Sequence, residues 1–304
     1  MDVLNFISWL KSKRQVTTVD ASQTLIPLGL KDARRSDGYL PGAISVEDFA
    51  SAIVPTYTNC NIPIGEDTLI NLTEGQFNVA IGCNALKFNT TGSNNVAIGL
   101  YTMASNTGGY NNNVIGQGAM YNNNQGHTNV AIGNVAMNQN NSGFQNVALG
   151  ASTLQSSTTG ENNTAIGYYA LNSNSTGIYN TFVGVSAGTG ITTGSGNVGL
   201  GWSTLSGGPN GTGQNNIGIG QLAGENVGAA NFSIAIGSGT QINGHSCSIV
   251  LGQNAKATAS NQLVIGSQSA GENIGTIATE ALTPTISWAV RINGVNYKIP
   301  LQIA

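Results

Sequence analysis

The sequence predicts an all-β chain, a parallel β-solenoid (β-roll) of about 13 coils wound from 17-residue repeats. Three observations predict it. A glycine closes each phrase at Gly65, Gly82, Gly99, Gly116, Gly133, Gly150, Gly167, Gly184 and Gly201, eight intervals of 17 in a row. An aliphatic residue precedes each closing glycine, and Val or Ile usually stands two places before that, as in Val79-Ala80-Ile81 and Val147-Ala148-Leu149. Asn stands four places before the glycine ten times running, from Asn61 to Asn216. A fixed period of this length with strand-type alternation is the mark of stacked coils. Helical repeats are disfavoured, because Gly and Asn are poor helix formers.

Residues 1–55 do not repeat and read as a small mixed α/β module. They hold 12 of the 23 charged side chains, which sets a boundary near residues 50–60. Val3, Leu4, Ile7 and Leu10 share one face of a short amphipathic helix. QTLIPLGL reads as extended chain, DARRSDGYLPG as a polar loop, and Ser45 with Asp48 as a helix start. The module is expected to dock the chain to a larger particle or to cap the first coil.

Residues 56–275 form the solenoid shaft. Beyond Gly201 the closing glycines continue at Gly220, Gly237, Gly252 and Gly266. A second glycine series, Gly75 to Gly211, lies ten residues after the first, so two glycine corners per coil are expected. The ten Asn are expected to stack as a hydrogen-bonded amide ladder. Period two places alternate residues on opposite faces. The large aliphatics are expected inside, giving a core of Ile81, Ile98, Ile132, Leu149 and Ile166. Ala80, Ala97, Ala131, Ala148 and Ala165 then fall on the outer face, where a stripe with no charge is expected to pack on another copy. Ala85-Leu86 and similar pairs follow as a second strand or corner filler.

Residues 276–304 hold WAVRINGVNYKIPLQIA, where Asn293-Gly294 sits between two alternating runs and predicts a β-hairpin. Trp288, Arg291, Tyr297 and Lys298 gather aromatic and basic groups within a short segment. They are candidate tip contacts, or the hairpin plugs the last coil.

The phrase NVAIG with its closing glycine resembles the repeat of trimeric autotransporter adhesin heads. The 17-residue form, with its AL pair and NTTG corner, resembles repeats in fibres and appendage proteins of tailed bacteriophages. The segment around KDARRSDGY is similar to N-termini of some phage virion proteins. The resemblance covers residues 61–266 and implies a homotrimeric fibre on a phage virion. It implies attachment to other virion proteins through the N-terminal module, a host-surface glycan or protein as distal partner, and synthesis in the host bacterial cytoplasm. A bacterial trimeric surface adhesin head is the alternative. The start of the chain does not read as a secretory signal, which counts against it.

Little in the sequence points to chemistry. Net charge is −3 and charged residues make up 8%, so nucleic acid is not an expected partner. No apolar run reaches the ~18 residues of a membrane span. From residue 65 to 290 the acids are Glu66, Asp67, Glu74, Glu161, Glu225, Glu272 and Glu280, and no pair recurs at one corner. A solenoid carbohydrate-active enzyme needs such pairs, so no catalytic residue is expected. No metal or cofactor site is expected either: His127 and His245 stand apart, and Cys60, Cys83 and Cys247 have unrelated spacings and read as free, partly buried thiols. An ice-binding face would need a regular Thr-x-Thr pattern, and TTG occurs in only some coils.

Overall fold

The computed structural model describes residues 58–206 and 211–266, together with the backbone of four further strands. The chain divides into two compact units, residues 1–58 and 59–304. In the first, β1 (Leu25–Ile26) pairs antiparallel with β2 (Ile44–Ser45). The extended reading of QTLIPLGL thus holds at Leu25–Ile26. The amphipathic helix and the helix after Ser45 lie outside the described residues. A 3-10 turn, Thr58–Cys60, leads into the second unit.

That unit is a β-solenoid. Thirteen three-residue strands, β3 (Ile62–Ile64) to β15 (Leu263–Ile265), stack in chain order as one parallel sheet. Each aliphatic sits on its counterpart one coil away, as Val79 on Val96 and Ile81 on Ile98. At a strand spacing of about 4.8 Å the stack is ~58 Å long. The rest of each coil is turns, so the Ala-Leu pair fills a corner and no second strand forms there. These turns still bond from coil to coil: Leu86 N–H donates to Thr102 O at 3.0 Å, and Phe88 N–H to Ala104 O at 3.0 Å. At one corner three successive N–H groups, of Thr73, Glu74 and Gly75, converge on the single carbonyl of Thr90. Backbone groups of the turns are thereby paired without a second sheet.

The alternation of the strand is as expected, but its sense is reversed. Ala80, Ala97, Ala131, Ala148 and Ala165 have no exposed surface and belong to the core. Ile81, Ile98, Leu149 and Ile166 are only half-buried, and Ile132 is 40% exposed. The cause is the width of the coil. Its interior already holds Leu86, Met103, Met120, Met137, Leu154 and Leu171, four residues after each closing glycine, all fully buried. Opposite them the strand contributes a small residue, Ala in five of these coils and Val114 in the sixth, and interiors are close-packed. One coil exchanges the two sizes. Phe182 takes the alanine place and is fully buried, and Gly188 takes the leucine place. A Cβ on Gly188 would come within 2.7 Å of the Phe182 ring.

Left-handed residues make the corners, two, four and twelve places after the closing glycine, as at Ser152, Leu154 and Asn162 with φ of 54°, 50° and 58°. A non-glycine residue there costs roughly 1–2 kcal/mol. Complete burial of the Leu154 side chain offsets it, at about 1.5–3 kcal/mol. The closing glycines sit where only glycine serves: Gly133 has φ +145°, and a Cβ would collide with the carbonyl of Gly150 in the next coil. The second series differs from expectation. Gly126 has no positive φ, and its Cβ would strike Gly143 O and Asn123 Oδ1. Close stacking, not a left-handed turn, selects it.

The amide ladder is present. Asn129 Nδ2 donates to Asn112 Oδ1 at 3.1 Å and to Gly143 O at 2.9 Å, and its backbone N–H donates to the same Asn112 Oδ1 at 3.1 Å. The pattern runs from Asn61 to Asn216, and Ser233 then accepts and donates in its place. A second buried ladder was not anticipated. Asn106, Asn123 and Asn140 each donate to the Asn of the preceding coil, at 2.6, 2.6 and 2.8 Å. The repeat of Asn seven places after the closing glycine was the signal for it.

Beyond the solenoid, β16 (Ile286–Ile292) and β17 (Val295–Leu301) pair antiparallel around residues 293 and 294, as the Asn-Gly signal predicts.

Candidate functional site

Because alanine faces inward, the strands present their large aliphatics outward. Two columns result. One runs through Val79, Val96, Val130, Val147 and Val198, the other through Ile81, Ile98, Ile132, Leu149 and Ile166. Among the large residues of this face Ile64, Ile115, Ile219, Ile236 and Ile265 are exposed, the last to 65%. None of the thirteen strands holds a charged residue. A neutral strip of mainly aliphatic side chains on an in-register sheet, interrupted in one column by Asn113, Thr164 and Thr181, is the most distinctive surface of the described chain. The residues first expected to form a contact face, the alanines, lie behind it.

Two margins flank the strip. On one, the residue after the closing glycine, Leu100, Tyr168, Val185 and Trp202 are exposed. Tyr168 and Tyr169 lie with ring centroids 4.4 Å apart. Desolvation, then the neighbouring Tyr169, pushes the Tyr168 hydroxyl above the ordinary tyrosine value of 10.0. On the other margin, five residues before the closing glycine, Phe77, Tyr179 and Phe232 are exposed.

Elsewhere the surface is polar. An open trough of about 630 Å³ is lined by Ser105, Thr107, Asn122, Asn124, Gln139, Asn141 and Thr158, all hydroxyl or amide side chains. Tyr110, His127 and Phe144 stack at one corner, with centroids 4.7 and 4.9 Å apart and planes 7° and 11° from parallel. His127 is thus part of an aromatic column, and His245 lies seven coils away from it. Asp67 is paired with Lys87 at 2.9 Å, and the same ammonium donates to Asn84 Oδ1. Among the described residues no three His, Cys, Asp or Glu side chains converge, and no helix is long and apolar enough to cross a membrane. Cys60, Cys83 and Cys247 are free and exposed, where the sequence reading had them partly buried.

The hairpin register divides the four candidate tip residues. Trp288 pairs with Ile299 and Val290 with Tyr297 at one set of alternate positions. Ala289 pairs with Lys298 and Arg291 with Asn296 at the other. Trp288 and Tyr297 therefore fall in one set of alternate register positions, and Arg291 and Lys298 in the other.

Comparison with models of known families, with curated proteins and with solved structures found no match.

Proposed function

We propose that this chain is the shaft of a homotrimeric fibre carried on a bacteriophage virion, attached through residues 1–55 and directed at the host surface by its distal end. The observation that carries the self-association is the outward double column of Val and Ile. The strip and its two margins together span ~58 Å by at most ~20 Å, a ceiling of roughly 1,200 Å², against about 800 Å² per partner in a standard interface. Contiguous apolar patches larger than a few hundred Å² mark interaction sites. Identical copies suit it, because an uncharged face meets itself without repulsion. The number three and the virion setting come from the likeness of the NVAIG repeat and its 17-residue form to adhesin heads and phage appendages. The role is mechanical: the stack spans distance, and the amide ladders hold its coils in register.

Light scattering coupled to size exclusion tests the first step. A mass of three chains is expected, and a single chain at micromolar concentration overturns the proposal. Labelling of parent particles with an antibody to the shaft tests the second. Label on phage particles is expected, and label confined to a bacterial surface would favour the adhesin head.

A further inference from the structure

In the six described coils where one margin of the aliphatic strip carries Leu or an aromatic, the other margin carries a smaller residue. Exposed aromatics on the trailing margin are Phe77, Tyr179 and Phe232, and the leading-margin residues of the same coils are the smaller Cys83, Val185 and Ser238. The bulky leading-margin residues Leu100, Tyr168 and Trp202 share their coils with Asn94, Asn162 and Gly196. No described coil carries Leu or an aromatic on both margins. Within one chain the strand separates the margins, so this matching has nothing to act on there. Between chains it does. A rotation axis parallel to the rod shifts no chain along it, and sets the leading margin of one copy against the trailing margin of the next at the same height.

The strip itself says little about height. Its columns repeat at every coil, so a slip of one coil, about 4.8 Å, forfeits only one rung in thirteen. Register must come from features that do not repeat. Tyr179 is the sharpest of these. It is 62% exposed, and its neighbours in the same column are Asn162 and Gly196, so it stands alone as a knob. At its own height on the other margin, Val185 lies between Tyr168 one coil before and Trp202 one coil after. Large, small, large makes a notch.

We propose that the copies fix their axial register by seating Tyr179 of one chain in the notch formed by Tyr168, Val185 and Trp202 of the next. The proposal rests on the self-association reading and names what makes it specific. A slip by one coil would drive Tyr179 against the ring of Tyr168 or Trp202. This is the part that a single polar residue plays in a coiled coil, where the repeating seam alone leaves register open.

A size swap tests it. Val185→Trp fills the notch, and Tyr179→Asn removes the knob in favour of the residue found at that place in the preceding coil. Both sites are exposed in the single chain, so circular dichroism should show an intact coil in every variant. Val185→Trp is expected to raise the concentration at which the assembly half-dissociates by at least tenfold. Adding Tyr179→Asn should bring it back to within about threefold of the parent, a coupling that independent sites would not show. Additive effects of the two substitutions, with the parent still assembled, would overturn the register lock and leave the fibre reading standing. A parent chain that is monomeric would remove both.

Discussion

Glutamate placed at two neighbouring positions separates the inside of the coil from its outer face. Ala148 has no exposed surface and stacks between Ala131 and Ala165. Ala148→Glu puts a carboxylate into an interior whose polar groups, in the Asn129 and Asn146 amides, are already engaged with one another. An uncompensated buried charge costs about 3–5 kcal/mol, a large part of the ~5–15 kcal/mol that holds an ordinary domain together. The stack should therefore break at this coil. Ile132 points the other way and is 40% exposed. In a single chain Ile132→Glu should cost less than ~1 kcal/mol, the whole span of β-propensity. In the assembly it would bury one carboxylate per chain against its own copies. Thermal melts followed by circular dichroism report the coil, and light scattering reports the mass. Ala148→Glu should lose the cooperative melt. Ile132→Glu should keep it and run as one chain. A variant Ala148→Glu that melts like the parent would refute the inward assignment of alanine, and with it the face on which the fibre reading stands.

Two further outcomes follow from the interior. Ser157 interrupts the second amide ladder, and Asn140 Oδ1, Ser157 Oγ and both polar atoms of the Asn174 amide are buried without a hydrogen-bond partner. Ser157→Asn restores the repeated residue and should stabilise the chain by roughly 1 kcal/mol or more, read as a rise in melting temperature; a fall would mean that these groups are otherwise satisfied. Phe182→Ala should destabilise by about 3–5 kcal/mol through the space it opens. Adding Gly188→Leu, at a φ of 67° close to that of Leu171 at 49°, should recover a good part of the loss, and no recovery in the denaturant midpoint would refute the size exchange.

The architecture was legible because a period of 17 leaves few ways to stack. The Asn ladder, the parallel register and the C-terminal hairpin followed from position alone. What position could not give was the sense of the strand. Alternation in Val-Ala-Ile says which residues share a face and is silent on which face is inside. The usual rule, that large aliphatics are buried, chose wrongly here because a 17-residue coil encloses too little space for large residues on both sides. Leu or Met at the corner takes the volume, and the strand contributes a small side chain, Ala or, opposite Met120, Val114.

That choice had left a trace in the sequence. In one coil the middle residue of the strand enlarges from Ala to Phe182, and six residues later the expected Leu shrinks to Gly188. Two positions that exchange volume must face each other across a filled space. Position 182 is therefore an inside position, and the alanines stacked below it are inside as well. The aliphatics on either side of them must then face outward, where rungs of Val, Ile and Leu, broken in one column by Asn113, Thr164 and Thr181, have no fold-level reason to stay in water. The same exchange of volume, read between margins instead of across an interior, is what assigns Tyr179 to the notch at Val185. Within a coil a matched large-small pair reports packing inside the chain. Across two edges that cannot touch, it reports packing between chains.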